Sequence, residues 1–130
     1  MDKRLISVLV LTASVASTNN FTEVFAQTPK IDCAKAVTTP EMKYCSQQSY
    51  QKADQKLNLA YQKAIATING EQKRLLVTAQ QEWIKFRDNN CNFETYGSRG
   101  GTGYEIFRNG CLERLTKQRT KDLKEYISSR

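Results

Sequence analysis

A chain of 130 residues has room for one domain and little more. Lysine and arginine outnumber aspartate and glutamate by 20 to 13, which gives a net charge of +7, and there is no histidine. The missing histidine excludes Ser-His and Cys-His nucleophiles. The positive charge predicts attraction to anionic surfaces such as phosphate-bearing envelope polymers, lipid headgroups or acidic proteins.

Residues 1–26 have the pattern of a secretory signal peptide. A basic start at residues 3 and 4 precedes an apolar run over residues 5–16, and a small residue, Ala26, suits a signal peptidase. We expect cleavage after Ala26, with cleavage after Ala16 as the alternative, and a mature domain of residues 27–130. The apolar run is shorter than the ~20 residues that a helix needs to span a bilayer. We therefore expect a periplasmic or secreted protein that is not an integral membrane protein after cleavage and that does not bind nucleic acid.

All four cysteines follow the predicted signal peptide. An even number of cysteines in an exported domain predicts two disulfides, and three pairings are possible. We favour Cys33–Cys45 with Cys91–Cys111, while the predicted helical hairpin keeps Cys45–Cys91 with Cys33–Cys111 as an alternative. A zinc site is disfavoured because no two cysteines are close in sequence and histidine is absent. We expect no metal and no other cofactor.

Apolar residues at steps of three and four predict three amphipathic helices and no strand. The first is expected to begin at Thr39-Pro40-Glu41, with Thr39 as the cap, and to run to about residue 68. The second covers residues 71 to about 93. The third starts at about residue 104, unless Asn109-Gly110 kinks it or delays its start to Cys111. The apolar stripes of the second and third helices consist of Leu75, Leu76, Ala79, Trp83, Phe86 and Asn90, and of Phe107, Cys111, Leu115, Leu123 and Ile127.

A short turn at Asn69-Gly70 forces the first two helices to run antiparallel. Glycine can adopt the left-handed conformation that ends a helix. The predicted fold class is therefore all-α: an antiparallel helical hairpin plus a third helix, cross-linked by two disulfides. Residues equally far from Gly70 face each other in such a hairpin, which places Asp54 opposite Arg87.

The facing sides of this hairpin carry polar residues that predict a structural network around an Asp54–Arg87 pair. Its predicted members are Asp54, Asn58, Tyr61, Gln80, Trp83, Arg87 and Asp88. Trp83 and Phe86 also lie on the apolar stripe and are expected in the core, with an aromatic binding platform as the alternative. A carboxylate pair, Glu82 with Asp88 or Asp54, is the candidate for glycoside cleavage. Its spacing does not differ from that of ordinary surface acids, so we expect no catalytic residue and no enzyme.

The segment from Tyr96 to Tyr104 contains four glycines and predicts a loop. A disulfide between Cys91 and Cys111 would close this loop, and a loop fixed in advance loses little entropy when it binds. We predict that it contacts a protein partner, with a simple linker as the alternative. The predicted partner-binding residues are Tyr96, Ser98, Arg99, Thr102 and Tyr104.

Three segments carry a resemblance to a known family. They are Cys33 followed by Thr39-Pro40-Glu41-Met42 and Cys45; Ala53-Asp54-x-x-Leu57-Asn58-x-x-Tyr61; and Ala79-Gln80-x-x-Trp83-x-x-Phe86-Arg87-Asp88-x-x-Cys91. With these motifs the chain resembles the LprI-like lysozyme inhibitors, which are small exported helical domains. The chain lacks the lipoprotein-type cysteine of the founding member.

The resemblance implies a domain that binds lysozyme or a related peptidoglycan hydrolase without catalysing a reaction. The alternative that the charge suggests is a non-enzymatic cell-envelope-binding domain, drawn to anionic polymer or lipid. Animal lysozymes are themselves basic, so long-range charge would slow their association with a basic inhibitor.

Overall fold

The computed structural model describes residues 30–129, so the predicted signal peptide lies outside the described residues. Three long helices are present: α1 (Thr39–Ala66), α2 (Gly70–Glu94) and α3 (Tyr104–Ser128). A short 3-10 helix at Tyr96–Ser98 lies between α2 and α3. Residues 30–129 contain no strand, and the predicted all-α fold is confirmed. None of these helices combines the length and the apolar character needed to cross a membrane.

The helix boundaries follow local capping chemistry. Helix α1 begins with a capping box, in which the backbone N–H of Glu41 donates to the Thr38 hydroxyl at 3.4 Å and that of Thr38 donates to the Glu41 carboxylate at 3.0 Å. The cap is thus Thr38, one residue before the predicted Thr39. These hydrogen bonds hold the pKa of Glu41 below its ordinary value. Gly70 has a φ of +50° and makes the predicted left-handed turn, and α3 continues through Asn109 and Gly110 from a start at Tyr104.

The most extensive packing joins α1 to α3, which run parallel. Lys43 pairs with Glu105, and the Asn109 amide donates to the Ser46 hydroxyl at 3.2 Å, 63 residues along the chain. Ala60 and Leu123 are likewise 63 residues apart, and both belong to the same cluster of core residues. Alanines allow two helix backbones to approach closely, and the buried stripe of α1 is accordingly made mostly of alanine: Ala53, Leu57, Ala60 and Ala64.

The core has two parts along this bundle. One contains Leu57, Ala60, Ala64 and Leu123, with Trp83 among the half-buried side chains packed against it. The other, at the opposite end, is formed by the Cys91–Cys111 disulfide and Leu112.

Helix α2 covers less apolar surface than its periodicity predicted. Phe86 was expected in the core but is 57% exposed, and Leu75 of the same predicted stripe is 55% exposed. Because α1 and α3 pack mainly on each other, α2 meets them along a narrow strip. The buried residues of α2 are Gln80, Arg87 and Cys91, and two of these three are polar.

Both favoured disulfides are present. Cys33–Cys45 ties the segment before α1 to the second turn of that helix, and Cys91–Cys111 joins the end of α2 to α3. The alternative pairing is excluded. Both disulfides lie at the end of the bundle where the glycine-rich loop connects α2 to α3.

We predict that Ala60→Leu destabilises the fold by about 1–3 kcal/mol, because three extra carbons must enter the closely packed seam between α1 and α3. Thermal or urea unfolding of the oxidised protein measures the loss. Ala66→Leu is the matched control, since Ala66 is exposed on the same helix. Equal stability of the two variants would contradict the close α1–α3 packing.

Candidate functional site

The glycine-rich segment is more ordered than its sequence predicted. Between the two disulfide-bonded cysteines, successive backbone hydrogen bonds wind the chain into tight turns. The N–H of Ser98 donates to the carbonyl of Thr95 at 3.0 Å, and that of Gly101 donates to the carbonyl of Ser98 at 3.1 Å. Thr95 is buried and its hydroxyl donates to the carbonyl of Cys91 at 2.7 Å. The loop is thus hydrogen-bonded to itself and to the end of α2.

One glycine is required by this path. Gly100 has a φ of +80°, a conformation that residues with a Cβ rarely adopt. A Cβ on Gly103 would lie 3.1 Å from the ring of Phe107, an exposed side chain that could make room with a small shift.

The predicted partner-binding residues divide into two groups. Tyr96, Arg99 and Thr102 are exposed, and the Arg99 guanidinium stacks over the Tyr96 ring at 4.7 Å. Ser98 and Tyr104 are half-buried. The first group is therefore available to a partner, whereas the second has less surface to offer.

Two exposed phenylalanines at the same end of the bundle were not predicted as site residues. Phe93, in the last turn of α2, is 81% exposed, and Phe107, in the first turn of α3, is 59% exposed. Phe107 and Ser98 line a shallow depression of about 480 Å³ beside the disulfide. We call Phe93, Tyr96 and Phe107 the aromatic end. Periodicity placed Phe107 on a core stripe, and its exposure depends on how the loop and α2 leave the start of α3 uncovered.

Cations near the aromatic end are mostly engaged by neighbouring groups. Lys43 pairs with Glu105, and Arg114 pairs with Glu94 at 2.6 Å. Arg108 donates to the side-chain oxygen of Asn92 at 3.0 Å. Carboxylates therefore balance Lys43 and Arg114, whereas Arg108, bonded to a neutral amide, keeps its charge.

The predicted polar network centres on Arg87, which is only 7% exposed. Its guanidinium donates to Asp88 at 2.9 Å and approaches Asp54 of α1 at 3.4 Å and the Thr116 hydroxyl of α3 at 3.5 Å. One side chain of α2 therefore contacts both other helices. The Asp54–Arg87 pair lies where the hairpin register placed it.

Aromatic rings complete the surroundings of Arg87. The guanidinium carbon lies 5.5 Å from the centre of the Tyr50 ring and 5.3 Å from that of Trp83, distances at which a cation is attracted to a ring face. Burial raises the pKa of the Tyr50 hydroxyl, and the positive charge of Arg87 opposes that rise. Tyr50 is a neighbour of Arg87 that the sequence interpretation missed.

The remaining predicted network residues are only partly connected to this centre. The Asn58 amide donates to Asp54 at 3.2 Å, which holds the carboxylate toward Arg87. Gln80 instead accepts from Arg119 of α3 at 3.0 Å, and Tyr61 packs against the apolar core. The seven predicted residues thus form a central group and two separate contacts with the rest of the bundle.

The carboxylates considered for catalysis are engaged by cations. Asp54 and Asp88 both contact Arg87, and Glu82 pairs with Lys85 at 2.9 Å on the surface. Among residues 30–129 no cluster of His, Cys, Asp or Glu side chains is arranged to hold a metal ion.

These features define a small disulfide-bonded helical domain with an ordered loop and exposed aromatic residues at one end. The chain belongs to the LprI lysozyme inhibitor family, because the family model described as "Lysozyme inhibitor LprI" matches residues 32–123. An uncharacterized protein of Rhizobium meliloti (strain 1021) is 35% identical over 117 residues, covering 80% of this chain and 84% of that protein. No solved structure matches the chain. The family resemblance seen in the motifs is thereby confirmed.

We predict that Arg87→Lys lowers the free energy of unfolding by about 1–3 kcal/mol. Lysine keeps the charge but cannot donate in a planar fork to Asp54, Asp88 and Thr116 or stack on both rings. Chemical denaturation measures the change.

Arg74→Lys is the matched control, since Arg74 is an exposed arginine of α2 paired with Glu71. Surface pairs of this kind contribute little, so we expect a change below about 0.5 kcal/mol. A comparable effect of the two substitutions would contradict the central role of Arg87.

Proposed function

We propose that this protein acts outside the cytoplasm as a non-enzymatic inhibitor of lysozyme or a related peptidoglycan hydrolase. The family match over residues 32–123 is the observation that carries the proposal. The signal-peptide pattern of residues 1–26 and the two disulfides support a periplasmic or secreted location. Binding would occur through the aromatic end and the loop that is closed by Cys91–Cys111.

The order of the loop supports this choice of surface. A flexible segment binds a partner less tightly, because the entropy lost on ordering its side chains and backbone offsets part of the binding free energy. Here the disulfide and the successive backbone hydrogen bonds fix the loop before any partner arrives.

The composition of the aromatic end supports it as well. Tyrosine and arginine are enriched among the residues that dominate protein–protein binding energies. Tyr96 and Arg99 provide both types at one point, and their stacking reduces the freedom that each would lose on binding. Phe93 and Phe107 add exposed apolar area beside them.

The charge distribution removes part of the repulsion expected between two basic proteins. The Lys43–Glu105 and Arg114–Glu94 pairs balance charge near the loop. At physiological salt, charges more than about 8 Å away from a contact are screened. In a complex formed at the aromatic end these two cations are already balanced, whereas Arg99 and Arg108 keep their charge.

The test is an inhibition titration of lysozyme with the oxidised protein at low and moderate salt. We expect Tyr96→Ala to weaken inhibition by roughly 5- to 150-fold, as expected for about 1–3 kcal/mol at a central interface residue. Ser98→Ala with Arg99→Ala should weaken it similarly. Leu75→Ala is the control, because Leu75 is 55% exposed but lies in the first turns of α2, near the opposite end of the bundle.

Two results would contradict the proposal in different ways. Absence of inhibition by the wild-type protein at micromolar concentration would exclude animal lysozyme as the target. Inhibition that Leu75→Ala weakens as much as Tyr96→Ala does would place the binding surface elsewhere on the domain.

A further inference from the structure

A second surface, far from the aromatic end, combines unpaired lysines with exposed apolar side chains. Between α1 and α3 runs a groove of about 330 Å³ lined by Lys56, Leu59 and Lys63 of α1 and by Lys124 and Ile127 of α3, among others. We call these five residues the lysine groove. Within each helix these residues are three or four positions apart, so they lie on the same side of that helix.

The lysine groove faces away from α2. Asp54 is on the side of α1 that contacts α2 through Arg87. At about 100° per residue, Lys56 and Lys63 are roughly 200° and 180° around the helix from Asp54. The parallel offset of α1 and α3 places Lys124 beside about residue 61, between these two lysines. The three ammonium groups therefore line one open surface.

Among residues 30–129, no ion pair neutralises the charge of this surface. In the part of the chain that the structure describes, none of these three lysines lies within 4.0 Å of a carboxylate oxygen, whereas the α3 lysines Lys117 and Lys121 both pair with glutamates. The lining of the groove contains no acidic residue. It is thus complementary to a ligand that presents several negative charges.

Apolar side chains distinguish the expected ligand from a soluble polyanion. Leu59 lies between Lys56 and Lys63 and is 58% exposed, and half-buried Ile127 lies across the groove. A polyphosphate chain leaves these side chains in water. At a bilayer surface, by contrast, lysines reach the headgroup phosphates while apolar side chains enter the boundary of the acyl region.

We propose that the lysine groove binds the surface of a bilayer containing anionic phospholipids. The proposal does not rest on lysozyme inhibition, since it concerns a different face of the domain. With the lysine groove on the bilayer, the aromatic end would remain free to bind a soluble partner.

Vesicle sedimentation at 150 mM salt tests this proposal with the oxidised protein recovered after export. The probes are vesicles of phosphatidylcholine with and without 30% phosphatidylglycerol. We expect binding only to the anionic vesicles, and a loss of about fivefold per lysine, or roughly a hundredfold for Lys56→Gln, Lys63→Gln and Lys124→Gln together.

The charge-matched control carries Lys35→Gln, Lys73→Gln and Lys85→Gln, which remove the same charge from positions outside the groove. All six lysines are exposed and five of them lie in helices, where glutamine is a good helix former, so both variants should fold; circular dichroism checks this. The control should lose less than about fivefold. Equal losses in the two triple variants would show attraction by net charge alone and would overturn the proposal.

Leu59→Ser separates lipid from polymer. We expect it to weaken vesicle binding severalfold while leaving any binding to soluble polyphosphate unchanged. Wild-type protein that does not bind anionic vesicles, or vesicle binding unaffected by Leu59→Ser, would overturn the proposal. Lysozyme inhibition measured on the same variants without lipid should be unchanged, so failure here and failure of the proposed function remain distinguishable.

Discussion

The buried guanidinium of Arg87 is the interaction on which the arrangement of the three helices depends. Helices α1 and α3 pack through small side chains along a parallel seam, but α2 has few buried apolar residues. Arg87 compensates by contacting α1 at Asp54 and α3 at Thr116, with two aromatic rings within 5.5 Å of its guanidinium carbon. A charge in such a site needs all of its partners, because an incompletely paired buried charge costs several kcal/mol. The direction and register of α2 are therefore set mainly by polar chemistry.

The pairing of Arg87 also determines where the loop after α2 begins. Arg87 lies one turn before Cys91, so the pairing that fixes α2 also fixes the point from which the loop departs. Cys91–Cys111 then joins that point to α3, and internal hydrogen bonds order the residues between. Exposed aromatic side chains consequently lie on a rigid end of the bundle, which suits a protein that binds without large rearrangement.

Sequence was informative where local rules determine the outcome. The hairpin turn at Gly70 predicted the Asp54–Arg87 pair, and export with four cysteines predicted the two disulfides. Helical periodicity shows which residues share a face, but not which helix covers that face. For this reason Phe86 was wrongly expected in the core, Phe107 is exposed although it lies on a predicted apolar stripe, and the close α1–α3 seam was not anticipated. The exposure of Phe93 likewise depends on tertiary contacts that no local pattern records.

The most direct test of the account is to map the lysozyme contact by NMR chemical shifts of the isotope-labelled, oxidised protein during titration. We predict that the largest shifts occur in the loop and at the aromatic end, at residues such as Phe93, Tyr96, Arg99 and Phe107. Residues near Leu75 and Tyr126, at the other end of the bundle, should change little. Shifts centred on that other end, or no shifts at saturating lysozyme, would contradict the claim that the disulfide-closed end is the inhibitory surface.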